Sequence, residues 1–194
     1  SYAVSAARSF SLTNSSIRNS GSYSIYLSSD TISPTVQNCT FSGSDNSRMV
    51  YATAGSLSNF SNNTNAIFYL TSGAVSQNTQ WQNPGPNSYY RISSLITINS
   101  GRTLTIQPGC RVRMDYYGLF TIDGTLIANG TATDSIYFGP YYTSGSGSYG
   151  GGFNFTNSSS NSSFNYVSMD SLGGYYGSYA VSAARSFSLT NSSI

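Results

Sequence analysis

Leu12-Thr13-Asn14-Ser15-Ser16-Ile17 sets a frame that returns as Val36-Gln37-Asn38-Cys39-Thr40-Phe41. Leu57-Ser58-Asn59 and Ser76-Gln77-Asn78-Thr79-Gln80-Trp81 continue it, with Ser76 and Asn62 each breaking the frame at one place. The shared pattern is apolar, any, Asn, any, any, large apolar. Its four Asn stand at intervals of 24, 21 and 19, and Phe164–Met169 offers a fifth copy with Tyr166 at the Asn place. A second register runs beside it: Ile25-Tyr26-Leu27, Val50-Tyr51-Ala52 and Phe68-Tyr69-Leu70 each set a Tyr between apolar residues. Such alternation makes a strand with one buried and one exposed face.

Strands that recur about every 20 residues, at spacings that vary by several, suit a coil with fixed strands and loops that accept insertions. The expectation is one continuous all-β solenoid over residues 1–194, with parallel strands, irregular coils of about 18–25 residues and no helices. Equivalent residues on successive coils then lie about 4.8 Å apart. Asn14, Asn38, Asn59 and Asn78 are expected to form a buried ladder of side-chain amides. The plainer alternative is that Asn is abundant and suits turns. Tyr26, Tyr51 and Tyr69 are expected to form an exposed aromatic column. At roughly 20–22 residues per coil a unit would hold about eight coils and advance about 38 Å.

The longest-range feature is literal. SYAVSAARSFSLTNSSI fills residues 1–17 and again residues 178–194, so the period is 178 − 1 = 177. Residues 1–177 therefore read as one unit of a tandem array and residues 178–194 as the start of the next, an artificially overlapped chain being the competing explanation. Asn83-Pro84-Gly85-Pro86-Asn87 holds the densest run of chain breakers, so the unit boundary is expected near residues 83–88. Thr143–Gly152, rich in Gly, Ser and Tyr, is expected to bulge from the coil.

Composition narrows the function. Charged residues are 7% of the chain, the basic ones all Arg and the acidic ones all Asp, with no Lys, Glu or His. A net charge of +2 over 194 residues gives no electrostatic footprint for nucleic acid or anionic lipid. Aromatics at 14% supply apolar surface to bury, so the chain reads as folded. No apolar run is long enough for a spanning helix, and any secretion leader is expected to lie outside the segment. Cys39 and Cys110 fit an oxidising compartment as a disulfide, or equally two buried thiols.

Catalytic groups are scarce. Without His, Glu or Lys the usual bases and Schiff-base amines are missing, and two Cys do not fill a structural zinc site. The acids Asp30, Asp45, Asp115, Asp123, Asp134 and Asp170 are scattered, and only Asp115 and Asp134 could meet on neighbouring coils as a carboxylate pair. The expectation is no enzyme, no metal and no cofactor. Asn-x-Ser/Thr sequons occur at Asn14, Asn38, Asn59, Asn62, Asn129, Asn154, Asn157, Asn161 and Asn191, about the number that so much Ser and Thr produces. Asn154, Asn157 and Asn161 are the candidates for glycan attachment.

Residues 95–139, LITINSGRTLTIQPGCRVRMDYYGLFTIDGTLIANGTATDSIYFG, string together short strands. Leu104–Gly109, the alternating Val112 and Met114, Leu119–Leu126 and Ala128–Thr131 are their elements, with Pro108-Gly109 and Asp123-Gly124 as tight turns. This stretch resembles the right-handed parallel β-helix proteins of microbial cell surfaces, down to its closing Ile136-Tyr137-Phe138 strand. It covers about a quarter of the chain closely. The resemblance implies right-handed coils and an adhesin, stalk or filament; carbohydrate enzymes share the architecture. Cys110 departs from the small polar or β-branched residue such proteins carry there, which makes a bridge to Cys39 conceivable.

The leading functional expectation is a structural segment of an extracellular filament, stalk or sheath that stacks end to end with copies of itself. The alternative is a glycan-binding surface adhesin, and a polysaccharide lyase or hydrolase ranks below both.

Overall fold

Inward-facing Ile, Val, Leu and Phe alternate with outward Thr, Tyr and Arg along nearly every strand, and the chain winds so that each inward residue stacks on its counterpart one turn below. The computed structural model describes residues 2–43, 49–144, 149–174 and 179–194. Among these residues the short strands pair in parallel throughout, and the helical content is a single 3-10 turn at Ala54–Ser56. The chain is an all-β parallel solenoid.

One sheet runs the length of the molecule. Its eight strands are Val4–Ala6, Ile25–Leu27, Met49–Ala52, Ile67–Leu70, Tyr89–Ile92, Arg111–Met114, Ile136–Pro140 and Val167–Met169. We call it the long sheet. Its inner column passes through Val4, Ile25, Val50, Phe68, Tyr90, Val112, Phe138 and Met169, seven turns in all. The shortest of these turns runs from Val50 to Phe68 and the longest from Phe138 to Met169, a wider spread than the sequence suggested. The longest turn contains the Gly/Ser/Tyr-rich loop expected at residues 143–152, of which 145–148 lie outside the described residues.

Two five-stranded sheets close the later turns. The second sheet stacks Gly73–Val75, Leu95–Ile98, Leu119–Ile122, Gly152–Phe155 and Val181–Ala183; the third stacks Thr79–Trp81, Thr103–Ile106, Thr125–Asn129, Ser163–Asn165 and Ser188–Thr190. The first turns are closed instead by a three-stranded sheet (Ser11–Thr13, Thr35–Gln37, Asn59–Ser61) and a pair (Ser16–Arg18, Thr40–Ser42).

The core is a filled cylinder. Trp81, Tyr90, Phe41, Phe60, Phe68, Phe120, Phe138, Phe153, Phe155 and Phe164 are fully buried. Phe120 and Phe153 stack at 5.5 Å with rings 6° from parallel, since in-register parallel strands bring like side chains face to face. The two polar tips are satisfied: Trp81 Nε1 donates to the Ala54 carbonyl at 2.9 Å and the Tyr90 hydroxyl to the Gln82 carbonyl at 2.6 Å.

The Pro/Gly-rich stretch at 83–88 lies within a turn and stays hydrogen-bonded to the coil below. The N–H groups of Asn63 and Asn65 donate to the carbonyls of Pro84 and Pro86. Gly85, at φ 112°, lies so close to the Asn63 backbone that no side chain fits there. The breakers reflect this close approach of two coils.

Candidate functional site

The Asn residues mark a corner. Strand register aligns Asn14 and Asn38 with Asn62, because Leu12, Val36 and Phe60 share one column. Asn59 belongs to a different column, opposite Thr35, which corrects the expected ladder. The signal was in the sequence: Asn14, Asn38 and Asn62 are evenly spaced by 24, whereas Asn59 breaks the interval. All three adopt left-handed backbone, φ 50°, 54° and 54°, a conformation Asn tolerates better than other side-chain-bearing residues. One amide rung forms, Asn38 Nδ2 donating to Asn14 Oδ1 at 3.3 Å, and both residues are exposed, so the ladder is not buried. Asn78 does different work, accepting from the Thr103 N–H at 3.0 Å. The buried amide is Asn63, which accepts from the Cys39 N–H and donates to the Val36 carbonyl, each at 3.0 Å. A polar residue one place after the repeated Asn was its only trace in the sequence.

Tyr26, Tyr51 and Tyr69 stand in register on the outer face of the long sheet. Tyr2 and Tyr26 stack at 4.7 Å, Tyr26 and Tyr51 at 4.8 Å, and Tyr69 lies tilted 6.3 Å from Tyr51. Tyr23 packs alongside at 5.2 Å from Tyr51; burial first, then the neighbouring phenols, pushes its hydroxyl pKa up. Tyr26, Tyr51 and Tyr69 are half-buried rather than exposed, and the Tyr26 ring is covered by Tyr2 on one side and Tyr51 on the other. Above Tyr69 the column passes to Arg91 and Arg113. The Arg91 guanidinium lies 3.5 Å from the centre of the Tyr141 ring and 5.2 Å from that of Tyr69, a cation–π arrangement that ends the stack.

The carboxylates do not converge. Asp115 pairs with Arg91, and Asp123 accepts from the Thr156 hydroxyl at 2.7 Å. Asp30 accepts from the Gly55 N–H at 3.3 Å, Asp170 from the Tyr137 hydroxyl at 3.2 Å, and Asp45 lies outside the described residues. Asp115 follows the strand Arg111–Met114, while the Asp134 carbonyl accepts from Gly109 just before that strand begins. The two expected partners thus sit at opposite ends of one strand and do not form the carboxylate pair expected from the sequence. No group of three metal-ligating side chains occurs among the described residues.

Cys39 and Cys110 are free thiols, both buried, which corrects the conceivable bridge. Burial pushes the Cys110 pKa up to about 12. Of the candidate sequons, Asn157 and Asn161 are exposed, while Asn154 is half-buried on the outer face of the strand Gly152–Phe155.

An open groove of about 620 Å³ runs beside the long sheet. Asn83, Arg111, Arg113, Asp134 and Tyr137 line it, and Arg113 lies 5.0 Å from the centre of the Tyr137 ring.

The repeated segment occupies the two end coils. Val181–Ala183 and Ser188–Thr190 join the second and third sheets as their last strands. Phe187 lies on Phe155 at 4.7 Å with the rings 3° from parallel, and Asn191 Nδ2 donates to Asn165 Oδ1 at 2.9 Å. Leu189 and Ile194 are left 38% and 66% exposed on this last coil, so its apolar side is uncovered.

No protein family matches the chain, and comparison with curated proteins and with solved structures brings no match. The likeness to cell-surface β-helix proteins therefore rests on the sequence pattern and the coil. Among the described residues no helix is long and apolar enough to cross a membrane.

Proposed function

We propose that this chain is a structural repeat of an extracellular filament, stalk or sheath, its units stacking by continuation of the strands. The observation that carries the reading is the seating of the second copy of the repeated segment. It is laid down as the next coil of the solenoid, with a ring stack and an amide rung to the coil below. An open coil end presents unpaired backbone groups that template another strand. Scarce charge and the absence of Lys leave few sites for proteases of trypsin-like preference, which suits an exposed polymer. Electron microscopy of chains carrying one, two and three consecutive units tests this. Rods should lengthen by about 34 Å per unit, seven turns at the strand spacing. Beads joined by flexible links would overturn it.

An adhesive role is the second reading, and the groove at Arg111 and Arg113 favours it over the Tyr column. Sugars stack on open aromatic faces, and the Tyr rings cover one another. The groove offers guanidinium and amide donors instead, suited to hydroxyl-rich or acidic glycans. A glycan array should then give binding that is lost in Arg111→Ala/Arg113→Ala, and a blank array would remove the reading.

A further inference from the structure

The two copies of SYAVSAARSFSLTNSSI have the same sequence and different places in the coil. Val4–Ala6 pairs with Ile25–Leu27 in the long sheet, whereas Val181–Ala183 pairs with Phe153–Phe155 in the second sheet. Ser11–Thr13 opens the three-stranded sheet, and its counterpart Ser188–Thr190 ends the third sheet. Ser16 belongs to the two-stranded pair, and its counterpart Ser193 bridges to Ser168 of the long sheet. Two of these elements of the second copy have moved on around the coil, Val181–Ala183 to the second sheet and Ser193 to the long sheet, whereas Ser188–Thr190 keeps its face. Inside the unit the second-sheet side continues downward through Ala54–Ser56 and Asp30, so the three-stranded sheet that follows them lies on the third-sheet side.

We infer that consecutive units join without a break but not like sheet on like sheet: the long sheet of each unit is built on the second sheet of the unit below. The partner is another copy of this repeat, and the inference rests on the filament reading above. In such an array the three-stranded sheet continues the third sheet below it, and the Ser16–Arg18 strand continues the long sheet below it.

The length of the chain between the copies forces the displacement. Seven turns carry the inner column from Val4 to Met169, and Val181, the counterpart of Val4, follows only twelve positions later. Stacking Val181 directly on Met169 would confine a whole turn to those twelve positions. The shortest turn of the column, Val50 to Phe68, takes eighteen. The observed seating runs instead from Phe153 to Val181, from Phe164 to Leu189 and from Ser168 to Ser193. Each of these spans is longer than the Val50 to Phe68 turn and shorter than the Phe138 to Met169 turn. One unit is about seven turns, not the eight turns the sequence suggested.

A junction must let the segment bond to the coil below and the coil above at once. The second copy shows the lower contacts: the Ala180 carbonyl, the Ser188 N–H, the Thr190 carbonyl and both backbone groups of Ser193. The first copy shows the upper ones: the N–H groups of Val4 and Asn14 and the carbonyls of Phe10 and Ser15. Placed on one segment, these are different groups, so no donor or acceptor is claimed twice. The amide rungs agree as well. Asn191 gives its Nδ2 to Asn165 below, while its counterpart Asn14 uses Oδ1 to accept from Asn38 above. Both residues hold the same left-handed backbone, φ 48° and 50°.

Paired cysteines in this chain separate the two placements. Asn154 and Ser182 are opposite each other on the outer faces of parallel strands, a separation a disulfide spans. Asn154→Cys/Ser182→Cys, exposed to oxidised glutathione under native conditions, should lose both introduced thiols to alkylation and regain them on reduction. Asp170→Cys/Ser182→Cys should keep its thiols free, because that pair meets only if Val181 stacks on Met169. The native thiols are buried and stay silent. If Asp170 and Ser182 link instead, each long sheet stacks on the long sheet below: this proposal falls and the filament reading stands. If neither pair links while circular dichroism matches the parent, the second copy is not seated and both fall. In a chain of two consecutive units, Ser5→Cys/Tyr26→Cys in the second unit should also link; failure there would show that the junction strand has left its upper partner.

Discussion

The guanidinium of Arg91 grips the carboxylate of Asp115 one coil above, Nε to Oδ1 and Nη2 to Oδ2, each at 3.0 Å. Only 11% of one side chain and 15% of the other is open to solvent. Burial alone would lower the Arg91 pKa, and the hydrogen bonds and charge of Asp115 outweigh it, so the guanidinium is held more tightly protonated than usual. Removing one partner strands the other charge in a half-buried site. Arg91→Ala should cost about 2–3 kcal/mol, from the lost pair and the lost ring contacts. Arg91→Lys should lose more than half of that, because an ammonium offers neither the two-pronged fork nor the planar stack on Tyr141. Urea midpoints of the two variants against the parent give the measurement.

Alkaline pH should unfold the protein earlier than its neutral composition suggests. The folded Cys110 pKa is about 12 against an ordinary 9.0, and that of Tyr90 is also raised, by burial first and by Cys110 second. Below pH 9 both states hold the thiol proton, and stability is independent of it. Between about pH 9 and 12 the unfolded thiol ionises while the folded one cannot, so stability falls as pH rises. The loss from Cys110 alone is on the order of 4 kcal/mol at the upper end. Denaturation curves at stepped pH should show the decline, and Cys110→Ala should shift its onset upward toward the range of Tyr90.

The same two thiols should resist alkylation in the native protein and react at two per chain in denaturant, since both lie in the core. Reaction of either thiol at native urea-free conditions within minutes would place it outside the packed coil.

The coil itself was legible because alternation and recurrence are local: Ile25-Tyr26-Leu27 and Val50-Tyr51-Ala52 announce strands and their inward faces without knowledge of anything else. Residues 95–139 were clearest, since Pro108-Gly109 and Asp123-Gly124 mark the corners between strands that the structure forms. Which Asn align was less legible. Register is decided by where the inward residue falls, and Leu57, also buried, competed with Phe60 for that role. The Asp115–Arg91 pair was invisible because its partners stand a full turn apart in the chain and belong to no motif. The displacement of the second copy depends on counting residues around whole turns, which a pattern of short motifs does not supply.

Asn38 separates a backbone role from a ladder role. Its left-handed φ of 54° favours Gly and penalises branched side chains, while its rung to Asn14 is exposed and 3.3 Å long. Asn38→Gly should be within about 0.5 kcal/mol of the parent, the lost rung being offset by relief at φ. Asn38→Val should cost about 1–2 kcal/mol through backbone strain. Thermal melts of the two variants decide it: equal losses would mean that the side-chain amide, not the backbone, is what the corner needs.

Phe155 anchors the seat of the repeated segment. It is fully buried with Phe164 on one side and Phe187 on the other, while Phe187 itself is only partly covered. Phe155→Ala removes a core ring, opens a cavity and takes away the surface on which the next coil is laid, so it should cost about 3–5 kcal/mol. Phe187→Ala removes only the stacked upper ring and should cost about 1 kcal/mol or less in this chain. In a chain of two consecutive units the counterpart of Phe187 has a further coil above it, so its replacement there should cost clearly more. Comparing the two contexts by urea denaturation measures how much the next unit adds at the junction, and an unchanged cost would mean that no coil is laid down over that ring.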